Sequence, residues 1–440
     1  MITCAAWAGK TFGVFGLART GKSVVAALVA SGATALAWDD SDAVRTAFGG
    51  AVTDLHTADL SGLAAMVVSP GVPHDNPVFA RAVAAGIPVI GDIELFAQAR
   101  SGLPPHKVVG VTGTNGKSTT AALIHHILAS AGIPTRLGGN IGAPILGEEP
   151  LAAGGVYVLE LSSFQLELTS SLISDVAVLL NITPDHLDRH STMAAYAAAK
   201  GRLFEMQIPA DTAIIGQDDE PSRDIGDVAV ARVVPISAVA IPDEGVGAVD
   251  GRLYLAGEDI GAQADWPTLA GPHNAQNVAA AVAATRVLGV DRATVLAALA
   301  TYPGLPHRME RVRDLNGVAF VNDSKATNPT STAPALAAFP HVHWIAGGLA
   351  KTDDLDACLP HLGHVRAAYL IGDAAPLFAQ LLDGRVPVVM ANTLDRAVAL
   401  AAAAAVPGDT VLLSPACASY DQFTDYAARG DAFKRQVGAL

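Results

Sequence analysis

Thr112-Gly113-Thr114-Asn115-Gly116-Lys117-Ser118-Thr119 follows the apolar run 107–111 and precedes Leu123, Ile124, Ile127 and Leu128, which recur at helical spacing. A strand, a glycine loop and a helix in that order let backbone N–H groups converge on phosphate oxygens. Lys117 adds a point charge, and the Ser118 hydroxyl is suited to Mg²⁺. The stretch therefore reads as a nucleoside-triphosphate site, with Gly113, Thr114, Asn115, Gly116, Lys117, Ser118 and Thr119 around the phosphates. The strict phosphate-loop pattern requires a further glycine six residues before the lysine, where Val111 stands. The competing reading is a glycine turn capped by a surface lysine, which does not account for the agreement of strand, loop and helix. A phosphate loop by itself leaves ATPase, kinase and ligase open.

Outward from this loop, β-rich runs alternate with helical stretches, so the fold class is α/β with parallel, doubly wound sheets. Before it lie runs at 11–15, 34–38, 66–69 and 88–90, closed by a Pro/Gly-bearing linker at 101–105. With it belong 107–111, 156–161, 176–180 and 212–215, then a small β-rich insert at 228–270 with turns at Asp250-Gly251 and Gly257-Glu258. A helix from about 273 to 288, with Gly289 as C-cap, precedes the turn Tyr302-Pro303-Gly304. A third series follows at 318–321, 343–346, 367–371 and 410–413. The expected domains are 1–100, 101–302 and 303–440, the middle one a phosphate-loop ATPase-like fold. Ligands in such sheets bind beyond the carboxyl ends of the strands, which is where chemistry is to be sought.

Composition narrows the function. A chain of 440 residues, 51% hydrophobic, fills more than one core. Its 28 basic and 42 acidic residues leave a net charge of −14, which argues against wrapping nucleic acid or lying on an anionic membrane. Cys4, Cys358 and Cys417 are scattered and form no CxxC, so neither a disulfide framework nor a zinc site is expected. Residues 1–10 lack a signal-peptide pattern, and the apolar segment 23–38 is broken by Ser31-Gly32. The expectation is a cytoplasmic protein, a monomer by default, without nucleic-acid or membrane partners.

The loop Thr112 to Thr119 resembles that of the Mur ligase superfamily, which also includes folylpolyglutamate synthetases. Further matches run along the chain in the family's order: Glu160-Leu161-Ser162-Ser163-Phe164-Gln165-Leu166, residues 181–190, residues 271–277, Leu305-Pro306-His307-Arg308 and residues 323–328. Asp323-Ser324-Lys325-Ala326-Thr327-Asn328, Ser69-Pro70-Gly71 and residues 414–423 resemble the D-glutamate-adding branch in particular. The Asp-Asn-Pro-Arg motif of the diaminopimelate- or lysine-adding branch is absent. The resemblance implies ATP-dependent ligation of D-glutamate to UDP-N-acetylmuramoyl-L-alanine through an acyl phosphate, with two Mg²⁺ ions. A sister ligase with another amino acid or a folate, and a nucleotide-binding module without turnover, are the alternatives.

By the same resemblance, Lys117, Glu160, His186 and Lys200 are the catalytic set. Ser118 and Glu160 hold the first Mg²⁺, while His186 belongs to the second. Lys200, otherwise a surface charge in the helix-like stretch 193–204, reacts with CO₂ to give a carbamate, because an ammonium cannot ligate a metal. Asn274 and Asn277, three apart on one helix face, lie near adenine, although either could instead cap the helix. Arg308 reaches the phosphates, with Asp323 on the ribose side and Lys325 nearby. The turn Gly16, Leu17 and Ala18, with Asp39, Asp40, Ser69, Pro70 and Gly71, is read as a cradle for UDP over its competitor, a nicotinamide dinucleotide site. Asn140 contacts the muramoyl group. D-Glutamate falls to Thr327, Lys351, Ser419, Tyr420 and Tyr426. Two departures bear on it: Leu349 stands where some members carry aspartate, and Tyr426 where a phenylalanine is found.

Overall fold

Runs of valine, isoleucine and leucine that are buried on both faces form the inner strands of three sheets, as strands covered by helices on either side require. The computed structural model describes residues 1–269 and 274–440. It divides into two compact units, Met1–Pro303 and Gly304–Leu440.

In the first unit, β1 (Thr11–Phe15), β2 (Thr34–Trp38), β3 (Ala65–Val68) and β4 (Val89–Ile90) make a parallel sheet in the order β2-β1-β3-β4. The helix Asp92–Ala99 leads out of it. Glu94 on that helix accepts the backbone N–H of Ser170 at 2.7 Å and of Ser171 at 3.0 Å, which fastens the helix to the next layer.

That layer is a nine-stranded sheet. Its strands are β5 (His106–Thr112), β6 (Thr135–Gly139), β7 (Gly155–Glu160), β8 (Val176–Leu179), β9 (Thr212–Gly216), β10 (Arg232–Ser237), β11 (Val246–Val249), β12 (Arg252–Leu255) and β13 (Glu258–Ala262). The order is β13-β12-β11-β10-β9-β8-β5-β7-β6, so the phosphate-loop strand β5 lies between β8 and β7. The β-rich insert extends this sheet: β10 pairs parallel with β9 and β11 with β10, while β12 and β13 fold back antiparallel. Asp250 and Gly251 both take positive φ in the first hairpin turn, Ala256 and Gly257 in the second, as tight two-residue hairpins demand.

The helix Lys117–Ser130 buries Leu123, Ile124, Ile127 and Leu128 against the alanine-rich helix Ala275–Val287, whose small side chains fit the tight space between helix and sheet. His273, the expected start of the latter helix, lies with Gly271 and Pro272 outside the described residues.

In the second unit, β14 (Glu310–Leu315), β15 (Val318–Asn322), β16 (Val342–Gly347), β17 (Val365–Ile371), β18 (Val388–Asn392) and β19 (Thr410–Leu413) stand in the order β14-β15-β19-β16-β17-β18. All pair in parallel except the edge strand β14, antiparallel to β15. The inner four were read from the sequence. The edges β14 and β18 were not, since half-exposed edge strands lack a continuous apolar run. Among the described residues no helix is long and apolar enough to cross a membrane.

Candidate active site

The phosphate loop departs from the carboxyl end of β5, and its two glycines carry φ of +145° and +85° at Gly113 and Gly116. A Cβ on Gly116 would overlap the side-chain oxygen of Asn277, so only glycine lets the turn and the helix Ala275–Val287 approach this closely. The loop is braced from the neighbouring strand end. Thr114 N–H donates to the Asn181 carbonyl at 2.8 Å, and Asn115 N–H to the Asn181 side chain at 2.9 Å. Asn181 also donates to Gln276 at 2.7 Å. Lys117 opens its helix, and its Nζ reaches back to the Thr114 carbonyl at 2.8 Å. Ser118 and Thr119 sit half-buried in the first turn, where the positive end of the helix favours phosphate.

Glu160 ends β7 beside that loop, paired in register with Val111. It is 2% exposed; Oε1 accepts from Asn140 Nδ2 at 3.0 Å, while Oε2 is buried with no hydrogen-bond partner. A buried carboxylate oxygen left without a donor is costly unless a cation meets it, and as a hard ligand it fits Mg²⁺. Among the described residues no three His, Cys, Asp or Glu side chains gather at metal-ligand spacing. Mg²⁺ commonly takes one or two carboxylates and completes its shell with water and substrate phosphates, so a lone carboxylate beside a phosphate loop suits it.

Lys200 is carried inward on the helix Met193–Glu205, whose N-terminus Thr192 caps by accepting Ala195 N–H at 3.1 Å. At 1% exposure it is no surface charge. Its Nζ donates to the Gly113 carbonyl at 2.8 Å and stands 4.6 Å from the centre of the Tyr196 ring. Burial, reinforced by the Lys117 charge and opposed by Asp185, brings its pKa down to about 7. The amine is thus substantially neutral, and nucleophilic, near pH 7. Tyr196 in turn has its hydroxyl 3.3 Å from Thr114 Oγ1. His186 takes φ of +51° ahead of the single turn Leu187–His190, its ring 4.9 Å from Phe164 and 6.2 Å from Tyr196 between centroids. Asn277 Nδ2 donates to Asn274 Oδ1 at 3.1 Å, and its own Oδ1 accepts from Thr120 at 3.2 Å. Asn274 stands at the N-cap position but makes no side-chain cap hydrogen bond.

At the carboxyl end of β1, Gly16 has φ of +95°, and a Cβ there would meet Ser69 Oγ at 2.7 Å. Ser69 Oγ itself donates to the Gly16 carbonyl at 3.1 Å. Asp39 accepts Leu17 N–H at 2.7 Å, and Ala18 begins the helix Arg19–Ala30. Asp40 lies 2.7 Å from His56 Nε2 and accepts from Asn76 at 2.9 Å. Pro70 and Gly71 occupy the turn that Val72 N–H closes onto the Ser69 carbonyl at 3.0 Å.

In the second unit, Asp323 follows β15 and is buried. It accepts from Ser414 Oγ at 2.7 Å and Met309 N–H at 3.2 Å. Burial raises its pKa to about 7 against those hydrogen bonds and the nearby charge of Arg308, an exposed residue. Lys325 Nζ stands 5.8 Å from the Tyr426 ring. Lys351 donates to Thr327 Oγ1 at 3.1 Å, so two of the residues assigned to D-glutamate meet. Ser419 is buried, whereas Tyr420 is 70% and Tyr426 37% exposed. Arg429 was not singled out by the sequence, which shows only a charged residue in a polar final helix. It is 1% exposed and ties the two relevant loops together. Its guanidinium donates to Ser324 Oγ at 3.0 Å, Ser324 O at 2.9 Å, Cys417 O at 3.0 Å and Ala418 O at 3.2 Å.

Comparison with known proteins agrees along the length of the chain. Family models match at residues 10–91 (Mur ligase MurD-like, N-terminal domain), 111–285 (Mur ligase middle domain) and 307–417 (Mur ligase, glutamate ligase domain). A relative named UDP-N-acetylmuramoylalanine–D-glutamate ligase from Novosphingobium aromaticivorans is 56% identical, over 100% of this chain and 97% of its own. One of the same name from Zymomonas mobilis is 50% identical over 100% of both chains. Among solved structures, the UDP-N-acetylmuramate–alanine ligase of Thermotoga maritima shares the fold. Its TM-score is 0.62 at 17% identity, covering 98% of this chain and 99% of its own.

Proposed function

This chain belongs to the Mur ligase family, and from that premise we propose that it joins D-glutamate to UDP-N-acetylmuramoyl-L-alanine, converting ATP to ADP and phosphate in peptidoglycan precursor synthesis. The observation that carries the chemistry is the pair of buried ionisable groups at the phosphate loop: Lys200 on the Gly113 carbonyl, and Glu160 with one oxygen unpartnered.

The carboxylate of the alanyl group attacks the γ-phosphorus, ADP departs, and an acyl phosphate results. The amine of D-glutamate then attacks the carbonyl carbon, phosphate leaves, and the nitrogen loses a proton to give the amide. Both steps concentrate negative charge, so alignment and fixed positive charge are what the protein must supply. Loop amides 113–119 and Lys117 grip the phosphates. Bound Mg²⁺, for which Ser118, Glu160, His186 and a carbamate on Lys200 are the ligands assigned here, would neutralise phosphate oxygens as charge develops.

The carbamate forms when the neutral Lys200 Nζ attacks CO₂ and loses a proton, and the pKa near 7 makes that amine available at neutral pH. Asn274 and Asn277 are assigned to adenine; Arg308, Asp323 and Lys325 keep the nucleotide roles that the resemblance gives them. The turn at Gly16, Leu17 and Ala18, with Asp39, Asp40 and residues 69–71, holds UDP, and Asn140 orients the muramoyl end. Lys351 meets a carboxylate of D-glutamate by charge-assisted hydrogen bonds, with Thr327, Ser419, Tyr420 and Tyr426 around it. With ATP and these substrates, the reaction is assigned to the cytoplasm.

The test is phosphate release from ATP with UDP-N-acetylmuramoyl-L-alanine and a panel of single amino acids, with and without Mg²⁺. D-Glutamate alone is expected to give turnover, and only with the metal. No response to D-glutamate removes the assignment.

A further inference from the structure

One side chain that the reaction scheme leaves unused ties the turn of Ser69, Pro70 and Gly71 in the first sheet to the loop of His186 in the nine-stranded sheet. Arg189 Nη1 donates to the carbonyl of Val72 at 3.2 Å and approaches that of Pro70 at 3.4 Å. Its guanidinium lies 4.0 Å from the centre of the Phe164 ring, and Nε stands 3.9 Å from Glu167. Glu167, at the end of the short helix Ser163–Glu167, gathers both loops as well: His74 Nε2 from the first sheet is 3.2 Å away and His190 Nδ1 3.4 Å. Arg189 is only 12% exposed, so these contacts are sheltered from the screening that makes surface ion pairs weak.

We propose that Arg189, seated by Phe164 and Glu167, is a positioning residue that couples filling of the UDP turn to the setting of the His186 loop. The inference rests on the function proposed above. The path is short and made of directional bonds. A ligand gripping Ser69 to Gly71 fixes the carbonyls of Pro70 and Val72, and these fix Arg189. The backbone N–H groups of Arg189 and His190 donate to the His186 carbonyl at 3.1 and 3.0 Å, so a shift of the guanidinium is passed to the residue on the phosphate side. A planar fork that stacks on Phe164 while serving two carbonyls is a task lysine cannot copy.

Coupling of this kind is reciprocal, so it is measured as the factor by which one ligand tightens the other. The probes are UDP-N-acetylmuramoyl-L-alanine and a non-hydrolysable ATP analogue with Mg²⁺, each titrated into the full chain alone and in the presence of the other. In the unaltered protein the factor is expected to be about fivefold or more. Arg189→Ala and Arg189→Lys should bring it close to one while each ligand alone still binds within a few-fold of its usual affinity. His74→Ala, a change at an exposed residue away from the chemistry, should reduce it in part and serves as the readout should Arg189→Ala fail to fold. A factor of one in the unaltered protein, a factor unchanged in the variants, or weakened binding of single ligands with coupling intact overturns the proposal. Failure of the unaltered protein to bind either ligand alone would instead remove the functional reading itself.

Discussion

The residues assigned to phosphoryl transfer in the first unit and those assigned to D-glutamate in the second differ in exposure. At the phosphate loop two of the catalytic set are sealed in, Lys200 at 1% and Glu160 at 2% exposed, each held by one hydrogen bond, whereas His186 is exposed. In the second unit the residues assigned to D-glutamate are largely open: Tyr420 is 70% exposed, Lys351 is exposed, and the neighbouring Leu349 is 42% exposed. Phosphoryl transfer gains from charges fixed in place before the reaction, since no reorganisation is then needed as charge moves. An amino acid that must enter and be captured needs a site that water can leave. On the proposed function, the first region would stabilise the transition state and the second would recognise the amino acid.

Substitutions put this contrast to the test. The largest effects belong to the sealed region: Glu160→Gln and Lys200→Ala should each lower kcat by roughly a thousandfold or more, as loss of a preorganised charge does. Steady-state phosphate release checks this. Added formate or acetate should restore part of the Lys200→Ala loss but none of that in Glu160→Gln, whereas full activity of unrescued Lys200→Ala ends the carbamate idea. Lys351→Ala should instead raise KM for D-glutamate by about ten- to a hundredfold with kcat within a few-fold, as loss of one charge-assisted contact would. A fall in kcat as deep as that of Glu160→Gln would erase the distinction.

Gly116→Ala forces a side chain into a positive-φ turn and against Asn277. A cost of roughly 1–3 kcal/mol is expected, read as a drop of several-fold or more in ATP affinity and a lower Tm. The smallest effect is at Asp323. Its folded pKa of about 7 exceeds the ordinary 3.8, so the folded unit keeps a proton that the unfolded chain gives up. That contribution to stability is complete below about pH 4 and is lost as pH rises through 7. Denaturant midpoints between pH 5 and 8 should therefore fall less steeply in Asp323→Asn.

What the sequence disclosed was whatever depends on neighbours along the chain. The strand, glycines and helix at 107–130 were legible because all three signals sit within two dozen residues. Most inner strands were legible as apolar runs, whereas β10, β11 and β12 were read only as part of a β-rich insert. The pairing of β10 and β11 onto β9 was not, since it joins segments that only the fold brings side by side. Lys200 shows why burial matters: a lysine on an alanine-rich helix reads as solvated, and only the fold reveals that its Nζ ends on the Gly113 carbonyl. The family resemblance pointed to it, and the matched stretch 181–190 spans Arg189, but the contacts of Arg189 and the place of Arg429 left no signal in the sequence. Their partners are mostly backbone carbonyls, which leave no imprint on residue type.

The account turns on whether the carboxyl group is activated by phosphate at the sealed site before the amine arrives. The direct measurement uses UDP-N-acetylmuramoyl-L-alanine labelled with ¹⁸O in its terminal carboxylate, turned over with ATP, Mg²⁺ and D-glutamate, with mass analysis of the phosphate released. An acyl phosphate requires one carboxylate oxygen to leave with each phosphate, so labelled phosphate should accumulate in step with the amide. Phosphate free of label, formed alongside normal amounts of product, would contradict it.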